Sequence, residues 1–167
     1  MKSRVYVREP GREDQREILA RVRASGALHG GWATGPSTPA QFRSYLERMS
    51  RPDNRSFVVC LRSGDDIVGV VNVTNIVLGL FRSGYLSYYV FAGYERRGYM
   101  REGLRAVIRA AFKSLRLHRL EANIQPTNAA SIALAKACGL TKEGYSPRYL
   151  KIAGRWRDHE RWAIVAS

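Results

Sequence analysis

The chain has 167 residues, 45% of them hydrophobic and 25% charged, which is the balance of one self-folding globular domain and not of a disordered segment. Lys plus Arg number 28 against 14 Asp plus Glu, and the resulting formal charge of +14 favours anionic ligands, acidic polypeptides or RNA as partners. Cys60 and Cys138 stand apart with no CxxC spacing and no histidine cluster, so neither a disulfide framework nor a metal site is expected.

Val5 to Arg8 alternates and reads as a first strand, and Ile18, Leu19 and Val22 place a helix over Arg12 to Ala27, ended by Gly26 and Gly30-Gly31. Ser37-Thr38-Pro39 caps a second helix whose buried face is Phe42, Tyr45, Leu46 and Met49. After the turn Arg51-Pro52-Asp53-Asn54, the valine-rich runs Ser56 to Arg62 and Ile67 to Val77 form a hairpin through Ser63-Gly64-Asp65-Asp66. Gly84 to Phe91 is a tyrosine-rich strand. The spacing of Leu104, Val107, Ile108, Ala111 and Leu115 then predicts an amphipathic helix from Gly98 to about Leu115. Its other stripe, Arg101, Arg105, Arg109 and Lys113, reads as a solvated face, with RNA or ribosome contact as the alternative. Arg119 to Ile124 is a short strand, Asn128 an N-cap, and Ala129 to Ala137 a helix closed at Gly139. Tyr145 to Ile152 and His159 to Val165 are the last strands, joined at Gly154. Residues 1–167 thus read as a single domain without repeat or linker. No apolar run approaches the roughly 18 to 20 residues of a membrane span, and no signal-peptide core is visible, so a cytoplasmic location away from membranes is the expectation.

Chemistry concentrates between Tyr94 and Phe112. Arg96-Arg97-Gly98 closes a turn and opens directly into a helix, where unpaired amides, the positive end of the dipole and two arginines suit a phosphate. Downstream come Leu120-Glu121-Ala122-Asn123, then Asn128-Ala129-Ala130-Ser131, and the two elements together suggest an acyl-CoA-dependent transferase.

The segments His118 to Asn123, Pro126-Thr127-Asn128, Lys142-Glu143-Gly144-Tyr145 and Gly154 to His159 resemble the GNAT N-acetyltransferase superfamily, in particular ribosomal-protein N-terminal acetyltransferases of the RimJ/RimL type. The resemblance covers most of the chain. It implies an α/β (α+β) fold, a mixed twisted sheet of about seven strands with flanking helices and a V-shaped opening between strands 4 and 5, and acetyl-CoA as co-substrate without a metal. The family's diphosphate loop falls on Glu95-Arg96-Arg97-Gly98-Tyr99-Met100, with Arg101 following; Glu95 stands in place of glutamine or arginine and Met100 in place of a small residue. By the same resemblance Tyr88, Tyr89 and Val90 hold the pantetheine arm through their backbone, and Asn128 contacts it while capping a helix.

Catalysis by resemblance falls to Glu121 as general base. The family's tyrosine acid corresponds to Ala135, which cannot donate a proton, so Ser131, at the spacing of RimL-type members, takes that role. Trp32, Tyr149, Trp156 and Asp158 are the implied acceptor-binding residues, Asp158 being equally suited to a structural hydrogen bond. The expected reaction is direct acetylation of a primary amine, first of all a protein N-terminus. A small-molecule amine or aminoacyl-tRNA acceptor is the alternative, and a non-catalytic basic RNA-binding module the second. Ribosome or RNA association through the basic surface, and a monomer or homodimer, complete the expectation.

Overall fold

The computed structural model describes residues 3–32 and 35–167. Seven strands, β1 (Val5–Arg8), β2 (Arg55–Leu61), β3 (Ile67–Val77), β4 (Ser83–Val90), β5 (Arg119–Ile124), β6 (Thr141–Ile152) and β7 (Arg155–Val165), form one sheet in the order β1-β2-β3-β4-β5-β7-β6. The neighbours are antiparallel except β4 and β5, which run parallel. The mixed sheet, the helices on both faces and the seven strands agree with the sequence expectation.

The centre of the sheet is apolar on both sides because it is covered on both sides. On one face Val59, Val68, Val71, Val73 and Leu86 pack with Leu104, Val107, Ile108 and Ala111 of α4 (Tyr99–Lys113) and with Ala135 of α5 (Ala129–Ala137). On the other, Val58, Cys60, Ile67 and Val70 meet Ile18, Leu19 and Val22 of α1 (Gln15–Ala24) and Phe42, Tyr45 and Met49 of α3 (Pro39–Met49). Burial raises both thiols, Cys60 and Cys138, above the usual cysteine range, as expected of core residues and not nucleophiles.

Two predicted elements differ in extent. The single helix over Arg12 to Ala27 is a 3-10 turn (Arg12–Asp14), then α1, then the short α2 (Gly26–His29). The break lies at buried Ser25, whose hydroxyl donates to the Arg21 carbonyl at 2.6 Å and accepts from the Ala92 amide at 2.9 Å. This serine therefore serves the loop after β4 as well as its own helix. The last two strands are longer than their apolar cores, because β6 and β7 continue pairing through charged residues and two register shifts.

The entry into α1 is held by one buried carboxylate. Asp14 is 5% exposed, takes a bidentate fork from Arg8 at 2.8 and 2.7 Å, and accepts from the Gly11 amide at 2.8 Å. Burial pushes this carboxyl up, but Arg8 and the Gly11 amide together hold it below the usual carboxylate range. A depressed native pKa means stabilisation that is complete above the unfolded value of about 3.9 and lost as pH falls through the native one. Asp14→Asn is expected to cost roughly 2 kcal/mol at pH 7, and urea melts should show its deficit closing as pH falls below about 4.

Candidate active site

Pairing between β4 and β5 stops almost as soon as it starts: Ser83, Gly84 and Tyr85 face Arg119, Leu120 and Glu121, and nothing beyond Tyr85 is in register with β5. The sheet therefore opens between these strands, as expected. Phe91 donates to Val68 at 2.9 Å, so alternation along an antiparallel strand turns the amides of Leu86, Tyr88 and Val90 away from β3, the first toward the ladder with β5 and the last two into the opening. The Val90 carbonyl is already taken by His29 Nε2 at 2.5 Å, which leaves its N–H available.

At the wide end of the split lies the loop into α4. Arg96 and Gly98 both have left-handed backbone, at φ 61° and 81°. Among the described residues the amides from Gly98 to Arg101 donate to no protein acceptor, while Glu102 begins the helical ladder by donating to the Gly98 carbonyl at 3.2 Å. Free amides curled by alternating hand at a helix start form an anion cradle, and the side chains of Arg96, Arg97 and Arg101 are exposed around it. Met100 does not crowd the cradle. Its side chain is buried, and its sulfur would lie 2.4 Å from a Cβ at Gly69 on β3, so the glycine makes room for the larger residue.

The loop is fixed from outside by Arg4. This residue donates from its amide and Nε to Glu102, both at 2.7 Å, and from Nη2 to the Arg97 carbonyl at 3.0 Å, and it lies 4.8 Å over the Tyr99 ring. Burial pushes the Glu102 carboxyl up, but the Arg4 and Ser3 hydrogen bonds bring it below its ordinary value. Spacing along the chain carries no signal for a pair 98 residues apart.

Glu121 stands on the opposite side of the split from the helix core. Leu120, Ala122 and Ile124 face α4, so Arg119, Glu121 and Asn123 project from the other face. Arg119 Nε donates to Glu121 Oε1 at 2.7 Å, and the same guanidinium pairs with Glu143. One cation is shared by two carboxylates, and Glu121 Oε2 has no partner among the described residues. Tyr85, its register partner, is pushed up by burial, then by the Glu121 charge and by Tyr149 alongside. Asn123 Oδ1, on this same face, is buried without a partner among the described residues.

Ser131 and Asn128 lie at the start of α5. Asn128 Oδ1 accepts from the Ser131 amide at 3.2 Å, which makes it the N-cap and leaves its amide hydrogens free. Ser131 Oγ donates to the Tyr88 hydroxyl at 3.1 Å, and that hydroxyl donates to the Ser131 carbonyl at 3.1 Å. Tyr88 thus spans from β4 to α5, its phenol pushed up to about 12 by burial. Tyr89 points to the other face, against His29 and Phe91. Ala135 is fully buried in the α4 contact.

The four implied acceptor residues do not form one cluster. Trp32 follows α2, where Gln125 Nε2, just beyond β5, donates to the neighbouring Gly31 carbonyl at 3.1 Å. Tyr149 stacks edge-on to His159, with centroids 6.3 Å apart, and lies near Tyr85. Trp156 is exposed near the tip of the β6–β7 ribbon. Asp158 accepts from the Tyr145 hydroxyl and from the Arg148 amide at 2.7 Å, pinning the irregular part of β6. In the basic stripe, Arg105 donates to the Ala137 carbonyl at 2.6 Å and so caps α5, while Arg101, Arg109 and Lys113 are exposed.

The cradle makes a direct prediction. Gly98→Val places a branched side chain at φ 81°, with its Cβ 3.2 Å from Arg4 Nη2. The variant should retain its far-ultraviolet circular dichroism yet lose at least tenfold in CoA affinity by calorimetry. Unchanged affinity would remove the loop from the binding site.

The family model described as an acetyltransferase (GNAT) domain matches residues 4–141. A [ribosomal protein uS5]-alanine N-acetyltransferase of Escherichia coli is 42% identical over 100 residues, 60% of this chain and 52% of that protein, so the chain spans about half the length of that relative. The probable N-acetyltransferase YjcK of Bacillus subtilis is 32% identical over 121 residues, 72% of this chain and 67% of that one. RimJ of Mycobacterium smegmatis, solved with CoA-disulfide, superposes with a TM-score of 0.89 at 26% identity, covering 97% of this chain and 82% of that chain. A ribosomal-protein-S5-alanine acetyltransferase from Vibrio fischeri gives 0.86 at 26%, covering 99% and 94%. Among the described residues no helix is long and apolar enough to cross a membrane, and no group of metal-ligating side chains is present. With its split sheet, its amide cradle and a family match over most of its length, the chain belongs to the GNAT family of acetyl-CoA-dependent N-acetyltransferases.

Proposed function

We propose that this chain transfers the acetyl group of acetyl-CoA directly to the α-amine of a protein N-terminus, with a ribosomal protein as the acceptor class. The observation that carries the reading is the opening beyond Tyr85, which has the amide cradle on one side of the sheet and the Glu121 carboxylate on the other. The names of the Escherichia coli and Vibrio fischeri relatives support the acceptor. The charge of +14 supports docking beside ribosomal RNA, an attraction that salt weakens.

When bound, acetyl-CoA supplies an activated thioester carbonyl. The amides of Gly98 to Arg101 hold its diphosphate, and the Tyr88 and Val90 N–H groups in the split hold the acyl arm. Glu121, through one water, removes a proton from the incoming ammonium. An α-amine near pKa 7.7 to 8 costs about 1 kcal/mol to deprotonate at pH 7, against roughly 4 to 5 for lysine, so a carboxylate acting through water suits an N-terminus. The freed lone pair forms the C–N bond as the C–S bond breaks, and the proton the nitrogen then loses ends on the departing thiolate. Ser131 turns its hydroxyl from Tyr88 to hydrogen-bond that sulfur. The buried, protonated thiol of Cys138 leaves no role for a cysteine intermediate.

Thiol release with peptides beginning Ala, Ser or Met tests the reading; salt-dependent RNA binding without turnover of any amine would favour the non-catalytic alternative. Glu121→Gln should lower kcat about 100-fold while the KM for acetyl-CoA stays within roughly twofold. Ser131→Ala should cost kcat roughly five- to tenfold, the loss of one neutral hydrogen bond to sulfur. Steady-state kinetics of the two variants checks both, and a wild-type rate in either removes that residue from the chemistry.

A further inference from the structure

A line of polar side chains that the transfer scheme does not use crosses the sheet. Ser56 on β2, Asn72 on β3 and Ser87 on β4 are register neighbours, and Tyr45 of α3 descends onto them. Ser56, Asn72 and Tyr45 are 2%, 7% and 7% exposed, whereas Ser87 is open to solvent.

Donor counts fix the direction of this chain. Tyr45 gives its only proton to Asn72 Oδ1 at 2.9 Å, so in its short bond with Ser56 the serine must be the donor. Asn72 Nδ2 donates to Ser87 Oγ at 3.2 Å. Burial holds the Tyr45 phenol up at about 12, which keeps its proton in the line. The sequence Ser56 to Tyr45 to Asn72 to Ser87 therefore ends on a hydroxyl whose own hydrogen has no acceptor among the described residues. Hydrogen bonds aligned in one sense polarise the last donor.

Alternation sets Ser87 on the same face of β4 as Tyr85 and Tyr89, between the level of Glu121 and the His29 segment. Two residues of strand separate it from Tyr85, about 7 Å along the split. That span accommodates a water on Glu121, an amine beyond it, and a hydrogen-bond acceptor a few bonds further along the substrate.

We infer that Ser87 binds the acceptor, donating its hydroxyl hydrogen to the carbonyl oxygen of the first residue of a polypeptide whose α-amine lies at Glu121. The inference rests on the peptide reading above and adds a selectivity element to it. A peptide terminus carries a carbonyl oxygen three bonds from its amine, while a protonated polyamine offers only N–H and C–H groups there and leaves the donor unpaired.

The test is steady-state kinetics at saturating acetyl-CoA, with an alanine-initiated peptide and with spermidine as acceptors, for the wild type, Ser87→Ala and Ser87→Thr. Ser87→Ala should raise the peptide KM about tenfold, leave the KM for acetyl-CoA and any turnover of spermidine unmoved, and be rescued by Ser87→Thr. A peptide KM in Ser87→Ala within twofold of wild type, or a threonine that fails to rescue, overturns the role of Ser87 alone. A wild type that acetylates spermidine and no peptide overturns both this inference and the peptide reading.

Discussion

Everything functional in this molecule depends on the failure of β4 and β5 to stay together. They are the sheet's parallel pair, in register from Ser83 to Tyr85, and a parallel contact is somewhat weaker per residue than the antiparallel ladders around it. Past that point each strand has its other edge satisfied, β4 by β3 and β5 by β7. Tyr88 reaches for the first turn of α5 instead of lying against β5. The result is a row of main-chain groups that are neither paired nor out of reach of a ligand, an arrangement a folded protein keeps only where something else completes it.

The two sides of that opening have different chemistry because a strand presents alternate residues to alternate faces. Leu120, Ala122 and Ile124 join the α4 core, and the helix start, with its amide cradle, lies on that side. Glu121 and Asn123 necessarily project to the other side, where Tyr85, Ser87 and Tyr149 also lie. The proposed base and the proposed sulfur-binding hydroxyl are thus separated by the sheet itself. Geometry of this kind lets amine and thioester approach from opposite faces and meet within the split.

Rigidity comes from contacts made far along the chain. Arg4 clamps the cradle, Ser25 ties the α1–α2 break to the loop after β4, and His29 holds the Val90 carbonyl at the floor of the split. Each satisfies a backbone group with a side chain from the N-terminal segment. The two sides of the opening are therefore fixed by the same few residues, and a shift in the first 30 residues would be felt at both.

Much of the architecture was legible in the amino-acid order. Valine-rich runs, the apolar stripe of α4, the Thr38 and Asn128 caps and the glycine at the start of α4 each encode a local preference that the tertiary contacts reinforce. The motifs from His118 onward then pointed to the family, with Glu121, Asn128 and Ser131 among its site positions. Less legible were the extents of β6 and β7, whose charged residues alternate without an apolar pattern, and the engagement of Asp158 by Tyr145 and Arg148. The Arg4–Glu102 clamp, the line of hydrogen bonds ending at Ser87 and the accommodation of Met100 by Gly69 left no mark in local spacing at all. Periodicity and capping are decided by neighbours within a turn or a pleat, so the sequence determines them alone; a hydrogen bond between strands or across 98 residues exists only after the sheet has set its register, and there the tertiary structure decides.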